Sequence, residues 1–183
     1  RERMMGVTVR VVACVRRAWG AEVARGVVAA CVEARTKTYF VVGVCVEGDA
    51  KPTSLDEFLP VIKDARAAQL PVVLGVGESP DESEEDWIAA IRFGPDRFVC
   101  GPFVPATAWH TMCEPDFDER VPIAVDVGRS RGPAGDDRFV QVVQRALDDG
   151  YPVALCGGPR LLNQTPAAAD VGGAARRRAG GAE

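Results

Sequence analysis

A chain of 183 residues with 22 basic and 26 acidic side chains has a formal net charge of −4, long enough to bury a core but without the basic field that a nucleic-acid binder requires. No apolar run reaches the roughly 18 to 20 residues of a bilayer span, and Arg1-Glu2-Arg3-Met4-Met5 is followed by no signal-type hydrophobic region, so a cytoplasmic protein with neither a membrane nor a nucleic-acid partner is expected. Six cysteines, Cys14, Cys31, Cys45, Cys100, Cys113 and Cys156, are widely spaced with no C-x-x-C pair, which predicts free, mostly buried thiols rather than a disulfide framework.

In chain order, residues 7–15 read as a β-branched strand, after which Trp19, Val23, Val27 and Cys31 recur every four residues and lay an apolar stripe along a helix. A second strand is expected over 40–46. Ser54-Leu-Asp-Glu57 resembles a capping box, with Leu55, Phe58, Ile62 and Ala65 continuing a helical face and Pro60 at a kink or near the true first turn. The third strand is 72–76. Ser83 followed by Glu84, Glu85 and Asp86 places carboxylates at a helix N-terminus, with Trp87, Ile88 and Ile91 as the buried face and Gly94-Pro95 as the stop. Strands are expected over 97–100, 121–127 and 152–156, the last preceded by a helix carrying Phe139, Val142, Val143, Ala146 and Leu147 and ending at Gly150. Beyond Thr165 the composition falls to Ala, Gly and Arg, including Arg176-Arg177-Arg178, which predicts a flexible tail over 166–183 after a folded unit of 1–165.

Short apolar strands separated by helices predict an α/β class with parallel strands and right-handed crossovers. Six βα units fit either an open doubly wound sheet or most of an eight-stranded barrel, and periodicity alone does not choose. In both, ligands bind at the carboxyl ends of the strands. Those ends carry Cys14 with Arg16, Cys45 with Gly48 and Asp49, Gly75 with Glu78, Cys100 with Gly101, Asp126, and Cys156 with Gly157 and Gly158. The set is poor in metal ligands. His110, the only histidine, falls in a loop-like segment after the fourth strand and reads as structural or solvated. Glu78 is the one carboxylate directly after a buried strand: in an apolar cleft it suits acid–base work, and otherwise it is a loop glutamate leading to Asp81-Glu82.

Taken in order, these strand ends resemble the adenosine deaminase family. Val41-Val-Gly-Val-Cys-Val-Glu-Gly-Asp-Ala50 is similar to V-V-G-I-D-L-x-G-D-E, and Phe58-Leu-Pro-Val-Ile-Lys-Asp-Ala-Arg66 to F-x-P-x-F-x-x-A-R. Leu70-Pro-Val-Val-Leu-Gly-Val-Gly-Glu78 resembles L-x-V-T-L-H-A-G-E, Asp96-Arg-Phe-Val-Cys-Gly101 resembles D-R-I-G-H-G, and Val121-Pro-Ile-Ala-Val-Asp126 resembles I-P-I-E-V-C. Gly150-Tyr-Pro-Val-Ala-Leu-Cys-Gly-Gly-Pro159 is similar to G-x-P-V-T-L-N-T-D-D-P, one residue shorter. The resemblance runs from about Val7 to Thr165 and begins at about the family's third strand, so it implies a partial (β/α)8 barrel, N-terminally incomplete, of about six βα units.

The resemblance implies hydrolytic deamination of an aminopurine by a zinc-bound hydroxide, with histidines and a carboxylate on the metal, a base beside the water and an acid for the ring nitrogen. Followed residue by residue, most of that machinery is replaced. Gly75 stands at the metal-binding His of H-A-G-E, Cys100 at the water-orienting His, Gly157 and Gly158 at the paired aspartates, and Cys45 at the Asp of G-I-D-L. What matches is Glu78, at the proton-donating Glu, Gly48, at a backbone contact to the purine, and Asp49. The expectation is a catalytically degenerate deaminase-like protein with no zinc cofactor, binding a purine or nucleoside, or a protein partner, through Gly48, Asp49 and Glu78. Two alternatives are metal-free chemistry by Glu78 on a nucleoside-like substrate, and a zinc-dependent purine deaminase completed by another chain or by a Cys45, Cys100, Cys156 thiolate site. An incomplete barrel is further expected to associate as a homo-oligomer or with a related deaminase-like chain.

Overall fold

The computed structural model describes residues 10–38, 40–48, 53–116, 119–126 and 137–156. The tail expected over 166–183 and the positions Asp49, Gly157 and Gly158 lie outside the described residues. Six strands, β1 (Val11–Arg16), β2 (Val41–Glu47), β3 (Val72–Val76), β4 (Arg97–Cys100), β5 (Ile123–Asp126) and β6 (Val153–Cys156), alternate with five helices. The helices are α1 (Gly20–Lys37), α2 (Leu55–Ala67), α3 (Glu84–Phe93), α4 (Ala106–Cys113) and α5 (Asp137–Asp148), with a 3-10 turn, Arg17–Trp19, between β1 and α1. None of the described helices is long and apolar enough to cross a membrane.

All neighbouring strands are parallel, and the sheet order β1-β2-β3-β4-β5-β6 is the sequence order. That order resolves the choice that periodicity leaves open. A doubly wound sheet reverses its strand order at a switch point, whereas a barrel adds each βα unit on the same side of the last. The architecture is therefore a partial β/α barrel.

Alternation along the strands sorts side chains between two faces. Val15, Val44, Val46, Val72, Leu74, Val76, Phe98, Cys100, Ile123 and Val125 join one buried apolar cluster with residues of the helices. The interleaved positions, Cys14, Gly43, Cys45, Glu47, Val73, Gly75, Val99 and Ala124, share the inner face of the barrel, as the strand register requires.

The helices are where the sequence reading needs correction. In α1 the buried residues are Ala24, Val28 and Cys31, while Trp19 and Val23 are 52% and 47% exposed. Residues 26–32 carry no polar side chain, so the apolar arc of α1 is wide and a four-residue period does not fix its centre, which falls on Ala24, Val28 and Cys31 with Glu22, Glu33 and Lys37 on the far side. Helix α3 buries Trp87, Ala90 and the charged Asp86, leaving Ile88 40% exposed, and Leu147 of α5 is likewise exposed. Pro60 lies inside α2, past the first turn, and the helix continues to Ala67 despite the loss of the proline's backbone donor. His110 is not in a loop: it is an exposed residue of α4, a short helix entered through Pro105 with no carboxylate in its first turn to announce it.

Candidate functional site

The C-terminal ends of β1, β2 and β3 bring together the candidate groups of the inner face. Cys14 partners Cys45, and Arg16 partners Glu47, across the β1–β2 pair. Cys45 partners Val73 on β3, where Gly75 follows on the same face. The backbone then turns through Gly77, at a φ of 68°, and Glu78 reaches back over the strand it has just left. A Cβ placed on Gly75 would lie 2.7 Å from Glu78 Oε1, 2.8 Å from Glu47 Cβ and 2.9 Å from Glu47 Cα. Residue 75 must therefore be glycine for this arrangement, because its side-chain volume is filled by the carboxylate of Glu78 and the body of Glu47. Cys45 is buried in this cluster, and its thiol is pushed up by a hydrogen bond with Cys14 first, then by burial, then by the negative charges of Cys14, Glu47 and Glu78. Gly48, at a φ of 106°, makes the turn that leaves β2.

A buried ionic network holds the loops that carry these groups. Arg17 is 1% exposed and lies just after β1. Its Nη1 donates to Glu82 Oε1 at 3.0 Å, its Nη2 donates to Asp86 Oδ2, and its Nε and Nη2 donate to the Thr53 carbonyl at 3.2 and 3.0 Å. Asp86 Oδ1 in turn accepts from Leu55 N at 2.8 Å and Ser54 Oγ at 3.1 Å, and Glu82 Oε2 accepts from Gly77 N. One guanidinium thus ties together the entry to α1, the entry to α2, the β3–α3 loop and α3. Two buried carboxylates face that one cation. Burial raises the Glu82 carboxyl to about 7, with Asp86 and Glu78 pushing the same way and the Gly77 N–H and Arg17 opposing. Nothing in the sequence singles out Arg17, and Asp86 reads only as one of three carboxylates at a helix N-terminus.

Of the positions singled out from sequence, the structure gathers Gly48, Gly75, Glu78 and Cys45 at the inner ends of β2 and β3. Cys100 is elsewhere. It sits in the helix-facing cluster, its thiol raised to about 12 by burial and then by Glu82, so Cys45 and Cys100 occupy opposite faces of the sheet and the alternative thiolate site that shares them is not formed. Gly101, next to it, packs against the Gly77 carbonyl, where a Cβ would collide with backbone; the β4 exit is thereby pressed onto the β3–α3 loop, with Gly101 N donating to the Val76 carbonyl at 2.8 Å and Phe103 N to that of Gly77 at 3.0 Å. Two clefts, one between α3 and α4 beside Trp87 and Ile91 and one between α2 and α3 beside Leu59 and Phe93, lie on the outer helical surface. Strand-end chemistry in this fold belongs to the inner face, so the cluster around Gly75 is the candidate site.

No protein-family model and no curated protein matches the sequence. Solved structures do match the fold. The apo N6-methyl-AMP deaminase of Arabidopsis thaliana aligns with a TM-score of 0.67 at 21% identity, over 81% of this chain and 42% of that one. Arabidopsis ADAL complexed with IMP gives a TM-score of 0.65 and, complexed with GMP, 0.64, each at 20% identity over 81% of this chain and 42% of the other. The chain thus has the fold of these deaminase barrels and spans less than half of their length.

Proposed function

We propose that the chain is a degenerate adenosine deaminase-like domain that binds a purine nucleotide or nucleoside at the inner strand ends without the zinc-dependent hydrolysis of its structural neighbours. The observation that carries this reading is at residue 75. The family resemblance assigns a metal-binding side chain to that position; Gly75 offers no ligand atom, and the volume such a side chain would fill holds Glu78 and Glu47. Residue 75 therefore does not fit the family's zinc. Support for a purine-type ligand comes from the neighbours crystallised with IMP and GMP and from the groups at the corresponding strand ends here. Glu78 places a carboxyl at the inner face, able to present a charge or a proton to a ring nitrogen, and the turn at Gly48 leaves its backbone free of a side chain against the ligand. The reading requires no cofactor.

Calorimetric titration of the protein with IMP, GMP, AMP and adenosine, paired with an ammonia-release assay, tests it. The expected result is saturable binding of at least one of these with no deamination of adenosine, AMP or N6-methyl-AMP. Turnover that is abolished by chelator and restored by zinc would overturn the proposal, as would the absence of binding to all four.

A further inference from the structure

Apart from every position that the family resemblance gives to zinc, β1 and β2 bring three metal-ligating groups to one point of the inner face. Cys14 and Cys45 are direct partners in the parallel pair, and Glu47 follows Cys45 by two residues, so the alternation of the strand returns it to the same face. The two Sγ atoms and a Glu47 carboxylate oxygen all lie within 4.8 Å of one another. Cys14 is exposed, Cys45 buried and Glu47 half-buried, which gives the group an entrance from solvent on the β1 side and a dry floor on the β2 side.

We infer that Cys14, Cys45 and Glu47 form a binding site for a thiophilic divalent cation of the zinc class. Two sulfurs and one carboxylate select such an ion over magnesium or calcium, which take oxygen shells. Around a tetrahedral zinc with Zn–S near 2.3 Å the ligand atoms stand about 3.5 to 3.8 Å apart, so a spacing within 4.8 Å closes by about 1.3 Å at most, within reach of rotations of the two thiols and the Glu47 carboxylate. Binding replaces the two thiol protons with the cation and releases them to solvent, and Glu47 supplies the third bond. Glu78 Oε1 and the Glu47 Cβ both crowd the Cβ position of Gly75, so Glu78 lies beside Glu47, and it or a water would complete the shell. Strands β1 and β2 hold Cys14 and Cys45 in register, so the site is largely formed before the ion arrives.

The test uses the metal alone, with no nucleotide present, so that its outcome is separate from that of the purine-binding reading. The full chain is reduced, stripped with chelator, and titrated with Cd2+ while sulfur-to-metal charge-transfer absorption is followed in the near ultraviolet; Zn2+ is then added in competition. The expected result is a plateau at one equivalent, displaced by Zn2+. Cys14→Ser, at an exposed position, is expected to keep the circular dichroism of the parent, reduce the absorption by about half and weaken binding by at least about tenfold. Glu47→Gln is expected to weaken binding by about tenfold with the sulfur absorption intact. Cys113→Ser is the control and is expected to behave as the parent does. No saturable binding by the reduced chain, unchanged affinity in folded Cys14→Ser, or an equal loss in Cys113→Ser would each overturn the assignment.

Discussion

Adding one methyl group at residue 75 would press it against Glu78 Oε1, which ends a side chain and can swing away, and against Glu47 Cα, which belongs to a paired strand and cannot. Gly75→Ala is therefore expected to destabilise the fold by about 1–3 kcal/mol, the usual range for overpacking, measured as a lowered urea midpoint. Combining it with Glu78→Ala should recover only part of the loss, because the backbone contact remains; full recovery would mean that Glu78 alone fills the space. The same geometry governs attempts to restore catalysis. Gly75→His is expected to give no zinc-dependent deamination, since the imidazole has no room and Gly157, Gly158 and Cys100 still stand at the other positions required by the resemblance. Appearance of chelator-sensitive ammonia release in that variant would contradict this account. Glu78→Gln addresses the proposed purine site: Gln keeps the shape but loses the carboxyl's charge and proton, so nucleotide affinity is expected to fall by about tenfold. Equal nucleotide affinities of parent and variant in calorimetric titration would show that Glu78 takes no part.

The β3–α3 loop, which carries Glu78, is anchored through Glu82 and Asp86 to Arg17, and here a pH dependence of folding is expected. Glu82 ionises at about 7 in the folded chain against an ordinary value of 4.5, so between those values the native state keeps a proton that the unfolded chain has released. The stability contributed by that proton is fully present below about 4.5 and is lost as the pH rises through about 7, an effect of roughly 3 kcal/mol. Urea unfolding across this window should show the decline in the parent and a flatter profile in Glu82→Gln; parallel profiles would remove Glu82 as the cause. Asp86→Ala leaves the buried Arg17 short of a partner and the Leu55 N–H short of an acceptor, so a loss of about 3–5 kcal/mol is expected at any pH in the range. The sequence makes some of these elements plain and hides others for physical reasons. Strands β3 and β4 are legible to the residue because short apolar runs are bounded there by Gly and Pro. The face of α1 is not, because an apolar arc as wide as the one around residues 26–32 leaves its centre undefined, and α4 is too short and too weakly capped to register. Glu78 and Gly75 are visible as strand-end positions, but their collision is not, since it depends on the turn at Gly77 folding the chain back on itself. Arg17 and Asp86 are hidden for a related reason: a charged residue reads as exposed until the partners that satisfy it, from segments far apart in the chain, are brought together.

At the scale of the whole molecule, six parallel strands lie in one order, and among the described residues β1 pairs only with β2 and β6 only with β5. An edge of this kind presents a row of unpaired backbone groups, and closure of a barrel is what removes it. Here the β1 edge is also apolar, with Val11 and Val12 each 46% exposed, and the inner face behind it opens through the exposed Cys14. The solved barrels that share the fold extend well beyond the aligned span, which covers 42% of the N6-methyl-AMP deaminase chain. We therefore expect the 183-residue polypeptide, prepared as such, to associate with a second copy or with a related deaminase-like chain that pairs with the β1 edge. Backbone pairing along β1 gives such an association its register, and burial of Val11 and Val12 adds roughly 25 cal/mol per Å2 of apolar surface removed from water. Multi-angle light scattering at low micromolar concentration reads the outcome directly, and Val12→Lys, which sets a charge on that edge, should shift the protein towards monomer without loss of its helical signal. A monodisperse monomer of the parent chain with a sharp cooperative unfolding transition would show that the edge is covered from within, and that the open sheet is stable without a partner.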